Sequence, residues 1–193
     1  MQNITRLFDF PYYQLEHFNL PDALVTKYNN EWVKTSTQEY INKANALSRA
    51  LLNLGIQKND KIAVISSNNR TEWHISDIGI LQVGAQNIPI YPTISSEDYE
   101  YILNHSEAKY CFVSDQVVYD KLKEVQSRIP LLIDVYSFNE ISGCKKWSDL
   151  VTNGADTSNQ NIVEERKNNV LSTDLATIIY TSGTTGRPKG VML

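Results

Sequence analysis

The sequence has few cysteines, no long apolar run and little excess charge, and each shortage excludes a class of protein. Only two cysteines occur in 193 residues, Cys111 and Cys144, and they lack CxxC spacing. This argues against a disulfide scaffold and against a cysteine metal site. No apolar run approaches membrane-spanning length, and no basic segment precedes one at the N-terminus. We therefore expect a cytoplasmic protein without a transmembrane helix.

The charge balance excludes one large class of partner. The formal net charge is −4, from 18 Lys and Arg against 22 Asp and Glu. A nucleic-acid-binding domain typically carries a basic patch, so we expect no nucleic acid partner. Small anionic ligands need only local donors, and the charge balance does not exclude them. The hydrophobic fraction of 41% is ordinary for a folded globular domain.

The N-terminal segment is rich in aromatic residues: Phe8, Phe10, Tyr12, Tyr13 and Phe18. Pro11 interrupts the segment, and it lacks the Lys and Arg face of a helix that lies in a membrane interface. We expect these rings to pack onto the domain. Peripheral contact with a membrane is the alternative that stays open.

Local signals predict a hairpin followed by a helix. Residues 23–28 and 31–35 flank Asn29-Asn30, a pair that tolerates the positive φ of a tight primed turn. Ser36 and Glu39 have the spacing of a capping box, and apolar residues then recur at helical spacing as far as Gly55. The oligomeric state of the chain is not readable from these patterns.

Strands and helices alternate after Gly55, which favours parallel pairing with right-handed crossovers. The predicted strands are 61–65, 87–91, 109–113, 131–135 and 174–180, and the predicted helices are 71–81, 95–104 and 115–128. Pro89 demotes the second strand to an edge or an irregular position. Residues 152–170 are polar and predict a surface loop. The expected fold class is α/β, with a mostly parallel sheet of repeated strand–helix units, flanking helices and an N-terminal β-hairpin.

A run of glycines, hydroxyls and one lysine follows the last predicted strand. It reads Thr181-Ser182-Gly183-Thr184-Thr185-Gly186-Arg187-Pro188-Lys189-Gly190. Glycines let backbone N–H groups approach a ligand closely, and successive inward N–H groups form an anion-binding nest. The lysine adds a point charge suited to phosphate. The block predicts a phosphate-binding loop, against the plainer interpretation of a connecting loop rich in Gly and Thr.

Two better-known phosphate motifs are absent. The spacing of a Walker A loop, GxxxxGK[ST], does not occur, because Lys189 follows Arg187-Pro188 and precedes Gly190. The dinucleotide fingerprint GxGxxG is missing as well.

The block Tyr180 to Leu193, YTSGTTGRPKGVML, resembles the motif of the adenylate-forming superfamily, which includes acyl-CoA synthetases, luciferases and peptide-synthetase adenylation domains. The segments 42–55 and 60–64 look like the family's first helix and strand. The segments 68–73 and 84–93 are similar to long-chain fatty acid–CoA ligases in particular. The resemblance is clear over residues 36–113 and 174–193, and faint between them.

The resemblance implies a two-step reaction. A carboxylate, here a long-chain fatty acid, would attack the α-phosphate of ATP to give an acyl-adenylate and pyrophosphate, and the thiol of coenzyme A would then displace AMP. The residues matched to the ATP phosphates are Thr181, Ser182, Gly183, Thr184, Thr185, Gly186 and Lys189. Thr181 matches the position whose hydroxyl contacts Mg²⁺, and no catalytic residue falls within this span.

The resemblance also implies missing parts. The family's later motifs and its mobile C-terminal domain are absent, so residues 1–193 would be an incomplete N-terminal, AMP-binding domain. We expect an N-terminal fragment that is inactive alone. Two alternatives stay open: a stand-alone nucleotide- or partner-binding module, and a superfamily member that acts on shorter acids or amino acids. Trp73 and Tyr91 are expected to pack, and His74 and His105 to serve at helix ends or on the surface.

Overall fold

The computed structural model of the chain describes residues 4–181 and 186–193. Its elements, in chain order, are α1 (Asp9–Phe18), β1 (Leu24–Tyr28), β2 (Glu31–Thr35), α2 (Thr37–Asn53), β3 (Lys61–Ile65), α3 (Thr71–Gln82), β4 (Gln86–Ile90), α4 (Ser96–Ser106), β5 (Ala108–Val113), α5 (Gln116–Lys123), a 3-10 turn (Gln126–Arg128), β6 (Asp134–Ser137), β7 (Lys145–Lys146), α6 (Trp147–Asn153), α7 (Gln160–Asn168), β8 (Ile178–Thr181) and β9 (Lys189–Met192).

These elements form two compact units. The first unit comprises Met1–Gln57, Asn69–Gly84 and Leu150–Asp174, and the second comprises Lys58–Asn68, Ala85–Asp149 and Leu175–Leu193. The chain therefore passes between the units more than once.

The first unit confirms the local predictions for its hairpin and helix. Strands β1 and β2 pair antiparallel, and Asn29 and Asn30 between them have φ angles of 48° and 68°. The Ser36 side chain accepts a hydrogen bond from the backbone N–H of Glu39, and the Glu39 carboxylate accepts one from the backbone N–H of Ser36. Gly55, with φ 82°, follows α2 in the left-handed conformation that lets a helix end.

The second unit holds a five-stranded parallel sheet in the order β4-β3-β5-β6-β7. Its central strands are buried and apolar, which is typical of a sheet covered on both faces. Pro89 lies in β4 at the edge of this sheet, as its missing N–H requires. The predicted α/β class with a mostly parallel sheet is confirmed.

Three elements differ from their predicted bounds by three residues or more. Strand β8 begins at Ile178, four residues later than predicted, because Thr177 makes only an isolated bridge to Asn87. The apolar run 131–133 is not part of a strand: Leu131 and Ile133 are 50% and 63% exposed, and β6 begins at Asp134. Pro130 precedes this run, and the sheet pairing starts with Asp134 opposite Tyr110. Helix α5 is also shorter than expected, because it ends at Lys123 and a separate 3-10 turn follows. Hydrophobicity therefore predicted that a strand lies in the region of β6 but not at which residue it begins.

The predicted surface loop at residues 152–170 is partly wrong. Residues Gln160–Asn168 form helix α7, most of whose side chains are exposed, with Val163 and Lys167 buried. The Lys167 ammonium lies 3.9 Å from the centre of the Tyr12 ring and 3.0 Å from a Glu164 carboxylate oxygen. A helix with so narrow a buried face has little apolar periodicity in its sequence, which is why the pattern predicted a loop.

The aromatic N-terminal segment forms α1, with Pro11 in its first turn, where a missing N–H is tolerated. Phe8 is 1% exposed and confirms the expected packing, whereas Phe10 and Phe18 are 57% and 63% exposed. In the part of the chain that the structure describes, no helix has the length and apolarity needed to cross a membrane.

Both cysteines are free thiols. Cys111 lies in the buried strand β5 opposite Val135 of β6, and the Cys144 thiol contacts the Val135 carbonyl oxygen at 3.5 Å. Both cysteines therefore lie beside the same residue of β6. Burial raises the pKa of the Cys111 thiol, which makes it unreactive at neutral pH.

Candidate functional site

The predicted phosphate loop connects the two strands of an antiparallel hairpin. Strand β8 pairs with β9 so that Thr181 lies opposite Lys189, and both residues are exposed. The predicted site residues Ser182, Gly183, Thr184 and Thr185 lie outside the described residues. The structure therefore brings the two ends of the predicted site together, a hydroxyl on one strand and an ammonium on the other.

The position of β8 relative to β4 places this hairpin at one edge of the second unit. Asn87 of β4 bridges to Thr177 in parallel orientation: its N–H donates to the Ala176 carbonyl at 3.1 Å, and the Thr177 hydroxyl donates to the Asn87 carbonyl at 2.8 Å. Strand β8 thus runs in the same direction as β4, and Thr181 lies toward the carboxyl ends of the parallel strands. Ligands of open α/β sheets bind at that edge.

Two glycines of the motif are explained by backbone geometry. Gly186 has φ 94°, a conformation that L side chains rarely adopt. Gly190 is enclosed instead: a Cβ atom there would lie 2.8 Å from Ile178 Cγ2 and 3.2 Å from Tyr180 Cζ. The Tyr180 ring therefore lies against the Gly190 backbone across the hairpin. A side chain at either position would disturb the strand pairing or the return of the loop.

Side chains of α4 contact both arms of the hairpin. The Tyr180 hydroxyl and His105 Nδ1 lie 2.7 Å apart, and their rings meet edge to face with centroids 5.7 Å apart. On the other arm, the Arg187 guanidinium carbon lies 5.0 Å from the centroid of the Tyr101 ring. Tyr101 and His105 are one helical turn apart, with ring centroids 5.4 Å apart. We call Tyr101, His105, Tyr180 and Arg187 the hairpin anchor.

Sequence reasoning missed the anchor. It placed His105 at a helix end without a partner, and His105 does lie in the last turn of α4. Its partner Tyr180 is 75 residues away in the chain, and no local pattern indicates such a contact. One signal was available in the sequence. Tyr101 and His105 have the i, i+4 spacing of neighbours on one helix face, and the distant motif itself carries an aromatic residue and an arginine.

The described part of the site offers hydrogen-bond donors and one positive charge, which suit an anionic ligand. Lys189 and the Thr181 hydroxyl supply donors at the mouth of the hairpin, where glycines flank the chain. Burial raises the pKa of the Tyr180 hydroxyl, with the nearby Tyr101 adding to the effect, so Tyr180 keeps its proton at neutral pH. Among residues 4–181 and 186–193, no three His, Cys, Asp or Glu side chains gather as a metal site.

The segment 68–73 has a structural role in the first unit. Arg70 Nη2 lies 2.8 Å and Arg70 Nε 2.9 Å from the two Glu72 carboxylate oxygens, and the Tyr28 hydroxyl donates to Glu72 at 2.6 Å. Arg70 is 6% exposed and occupies the N-cap position of α3. The pair, whose Glu72 side chain is 17% exposed, joins the hairpin β1–β2 to α3. Tyr91, expected to pack, is 64% exposed.

Comparison with known sequences identifies the motif's relatives. The model of the family described as AMP-binding enzyme matches residues 16–193. A long-chain-fatty-acid–CoA ligase, FadD15 of Mycobacterium bovis, is 36% identical over 162 residues, which cover 84% of this chain and 26% of that protein. The long-chain-fatty-acid–CoA ligase ACSBG2 of Xenopus laevis is 30% identical over 179 residues, which cover 89% of this chain and 24% of that protein. The chain thus spans about a quarter of the length of these relatives.

Comparison with solved structures supports the fold. A long-chain-fatty-acid-CoA ligase (FadD1) from Archaeoglobus fulgidus superposes with a TM-score of 0.75 at 24% identity, covering 97% of this chain and 36% of that one. The anthranilate CoA ligase AuaEII in complex with anthranoyl-AMP gives a TM-score of 0.73 at 20% identity, covering 96% of this chain and 34% of that one. At these identities the likeness concerns the fold alone.

Proposed function

Because the chain belongs to the family of AMP-binding enzymes, we propose that it supplies the ATP-phosphate-binding part of a fatty acid–CoA ligase. In a protein of the relatives' full length, a fatty acid carboxylate attacks the α-phosphorus of ATP. The bond to the bridging oxygen breaks, and pyrophosphate leaves with that electron pair. The coenzyme A thiol then attacks the acyl carbon, loses its proton, and AMP leaves.

The observation that carries this proposal is the mouth of the β8–β9 hairpin. Thr181 and Lys189 face each other there, on a hairpin that begins beside the edge strand β4 and opens toward the carboxyl ends of the parallel strands. Phosphoryl chemistry depends mainly on positioning and charge neutralisation. In the proposal, Lys189 neutralises the leaving phosphates, and the donors of 181–186 hold them.

ATP, coenzyme A and the fatty acid are the substrates in this proposal, and Mg²⁺ would enter with ATP. The exposed Thr181 hydroxyl suits Mg²⁺, which prefers oxygen ligands and takes only one or two of them from the protein beside substrate phosphates and water. Thr181 is therefore the residue of the described chain that we assign to the metal. We propose a cytoplasmic location, with peripheral membrane contact through the exposed Phe10 and Phe18 as the alternative.

The long-chain assignment rests on the relatives. FadD15 and ACSBG2 are both named long-chain-fatty-acid–CoA ligases, and both align over more than four fifths of this chain. The segments 68–73 and 84–93 resemble the same subgroup. We also propose that residues 1–193 form an incomplete N-terminal domain, which is supported by their covering only 26% and 24% of these two relatives.

The substrate prediction is tested with the full-length protein and a panel of carboxylic acids. We expect kcat/KM for acyl-CoA formation to be highest for a long-chain fatty acid. Acetate and an amino acid serve as the comparison substrates, because the alternative is a superfamily member that acts on such acids. A higher kcat/KM for either of them would reverse the assignment.

Replacing Lys189 tests the phosphate site directly. A charge-assisted hydrogen bond contributes about 1.5–3 kcal/mol, and its loss in the transition state slows adenylation roughly 10- to 150-fold. We expect Lys189→Ala in the full-length protein to lower the rate of ATP–pyrophosphate exchange by that factor. Lys189→Arg should retain part of the rate, since it keeps the charge.

The control for this variant is Lys27→Ala, which removes another exposed lysine from an antiparallel hairpin strand. Its exchange rate should equal that of the wild type. Wild-type exchange by Lys189→Ala would show that this lysine binds no phosphate. That result would overturn the role proposed for Lys189 and leave the adenylating activity itself in place.

A further inference from the structure

We propose that Tyr101 and His105 of α4 are positioning residues that hold both arms of the phosphate-binding hairpin in the geometry that binds ATP. The inference rests on the proposed function of that hairpin. Neither residue belongs to the glycine-rich motif, and neither is assigned a contact with substrate. They act through Arg187 and Tyr180, the two residues of the hairpin that they contact.

The first arm is fixed through Tyr180. Its ring is 5% exposed and lies against the Gly190 backbone of the opposite strand. Its hydroxyl shares a 2.7 Å hydrogen bond with His105 Nδ1. Thr181, which is assigned to bind phosphate and metal, follows directly in the chain. A loss of the hydrogen bond therefore frees the residue next to a proposed ligand.

The second arm is fixed through Arg187. The residue is exposed, and its guanidinium lies over the face of Tyr101, a geometry in which the ring quadrupole attracts the cation. Pro188 follows, which restricts Arg187 to extended backbone. Lys189 is only two residues from this contact. The ring of Tyr101 thus constrains the direction in which Lys189 enters strand β9.

Both contacts of the hairpin anchor come from one helix, so the two arms of the hairpin are held by the same rigid element. Tyr101 and His105 are four residues apart on α4, and α4 itself begins with a Ser95 cap whose hydroxyl accepts from the backbone N–H of Asp98. A glycine-rich loop loses more backbone freedom on ordering than other loops. Fixing both ends of the loop before ATP binds reduces the conformational entropy that is lost on binding. We therefore expect loss of these contacts to weaken the binding of ATP and to leave that of the fatty acid unchanged.

The test uses the full-length protein and two double-mutant cycles. The first combines His105→Ala with Tyr180→Phe, and the second combines Tyr101→Leu with Arg187→Gln. We expect each single variant of the first cycle to raise the KM for ATP about 3- to 10-fold, the range of one net hydrogen bond. Variants of the second cycle should raise it about 2- to 5-fold. The KM for the fatty acid should stay unchanged.

Conservative variants separate positioning from a general loss of structure. His105→Asn keeps a hydrogen-bonding group at the distance of Nδ1, and Tyr101→Phe keeps the aromatic face, so both should restore the ATP KM toward the wild-type value. Within each cycle, the double variant should be no worse than the more severe single. The control is Glu97→Gln, an exposed residue of the same helix.

The outcomes that overturn the inference are specific. They are additive effects within the cycles, an unchanged KM for ATP, or a parallel rise in KM for ATP and for the fatty acid. Lys189→Ala is measured beside these variants. If Lys189→Ala slows exchange and the variants of the two cycles leave the KM for ATP unchanged, the inference alone fails. If Lys189→Ala exchanges at the wild-type rate, the phosphate-binding role proposed for the hairpin fails, and the inference fails with it.

Discussion

The isolated 193-residue chain should not catalyse ATP–pyrophosphate exchange, whereas the full-length protein should. We propose a phosphate site at the β8–β9 hairpin, but the aligned part of the chain covers only 26% and 24% of the two relatives compared above. The groups that fix the ribose, the adenine and the acyl carboxylate are not assigned to any residue here. Positioning of reactants accounts for about 7–11 kcal/mol in well-oriented reactions, or roughly 10⁵- to 10⁸-fold in rate.

Affinity for ATP should be low for the same reason. Holding a segment around a ligand costs about 1–2 kcal/mol of backbone entropy per residue, and glycines increase the cost. A few phosphate contacts offset only part of it. We expect calorimetry to give a Kd for ATP in the millimolar range or weaker.

The measurement compares exchange by the chain and by the full-length protein at equal concentration. Lys189→Ala in the isolated chain is the internal control, because any residual signal that this variant leaves unchanged does not come from the hairpin. Exchange by the chain within a factor of 100 of the full-length rate, or micromolar ATP binding, would show that the chain carries most of the site.

Local signals in the sequence were sufficient for the elements that local forces determine. The Asn29-Asn30 turn and the Ser36 cap each depend on a few neighbouring residues, and both are present as predicted. The edge position of β4 followed from the missing N–H of Pro89. The family resemblance was readable because the residues of the motif lie in one uninterrupted block. What the motif could not indicate is that its last residues, from Lys189 onward, form strand β9.

The predictions that failed have one physical origin: contacts between segments distant in the chain determine these features of the structure. The apolar run 131–133 predicted a strand, but only Leu132 of the three is buried and the sheet starts at Asp134. Helix α7 has two buried side chains and no apolar stripe. The contact between His105 and Tyr180 joins residues far apart in the chain. Periodicity reports the environment of a segment and contains no information about which distant residue meets it.

Arg70→Ala should be the most destabilising substitution of a charged residue in the first unit, by about 3–5 kcal/mol at neutral pH. Removing one partner of a buried ion pair leaves the other charge buried without compensation. Arg70 holds both Glu72 oxygens while only 6% exposed, and Tyr28 donates to the same carboxylate. Part of the segment that resembles long-chain ligases is thus explained by stability, through the junction of hairpin and helix α3.

The pH dependence of the free energy of unfolding provides an independent check on the role of the Arg70–Glu72 pair. Burial alone would raise the pKa of Glu72, but hydrogen bonds from Arg70 and Tyr28 outweigh it and lower that pKa below its usual value. Wild-type Glu72 therefore contributes stability above the unfolded carboxyl pKa of about 4.3, and the contribution is lost as pH falls through the lower folded pKa. In Arg70→Ala the carboxyl loses its main partner. The free energy of unfolding that the variant loses relative to the wild type should decrease on acidification, because burying a neutral carboxyl costs less free energy than burying a carboxylate.

Urea unfolding of the 193-residue chain measures both effects, with Arg128→Ala as the matched control. Arg128 also pairs with a carboxylate, at 2.7 Å from Glu100, but the two side chains are 52% and 30% exposed. A surface pair of this kind contributes about 0–1 kcal/mol, so the control should unfold near the wild-type midpoint. A loss below 1 kcal/mol for Arg70→Ala, or a deficit that grows toward acid pH, would contradict the assignment. Either result would mean that water or another side chain compensates Glu72 when the guanidinium is removed.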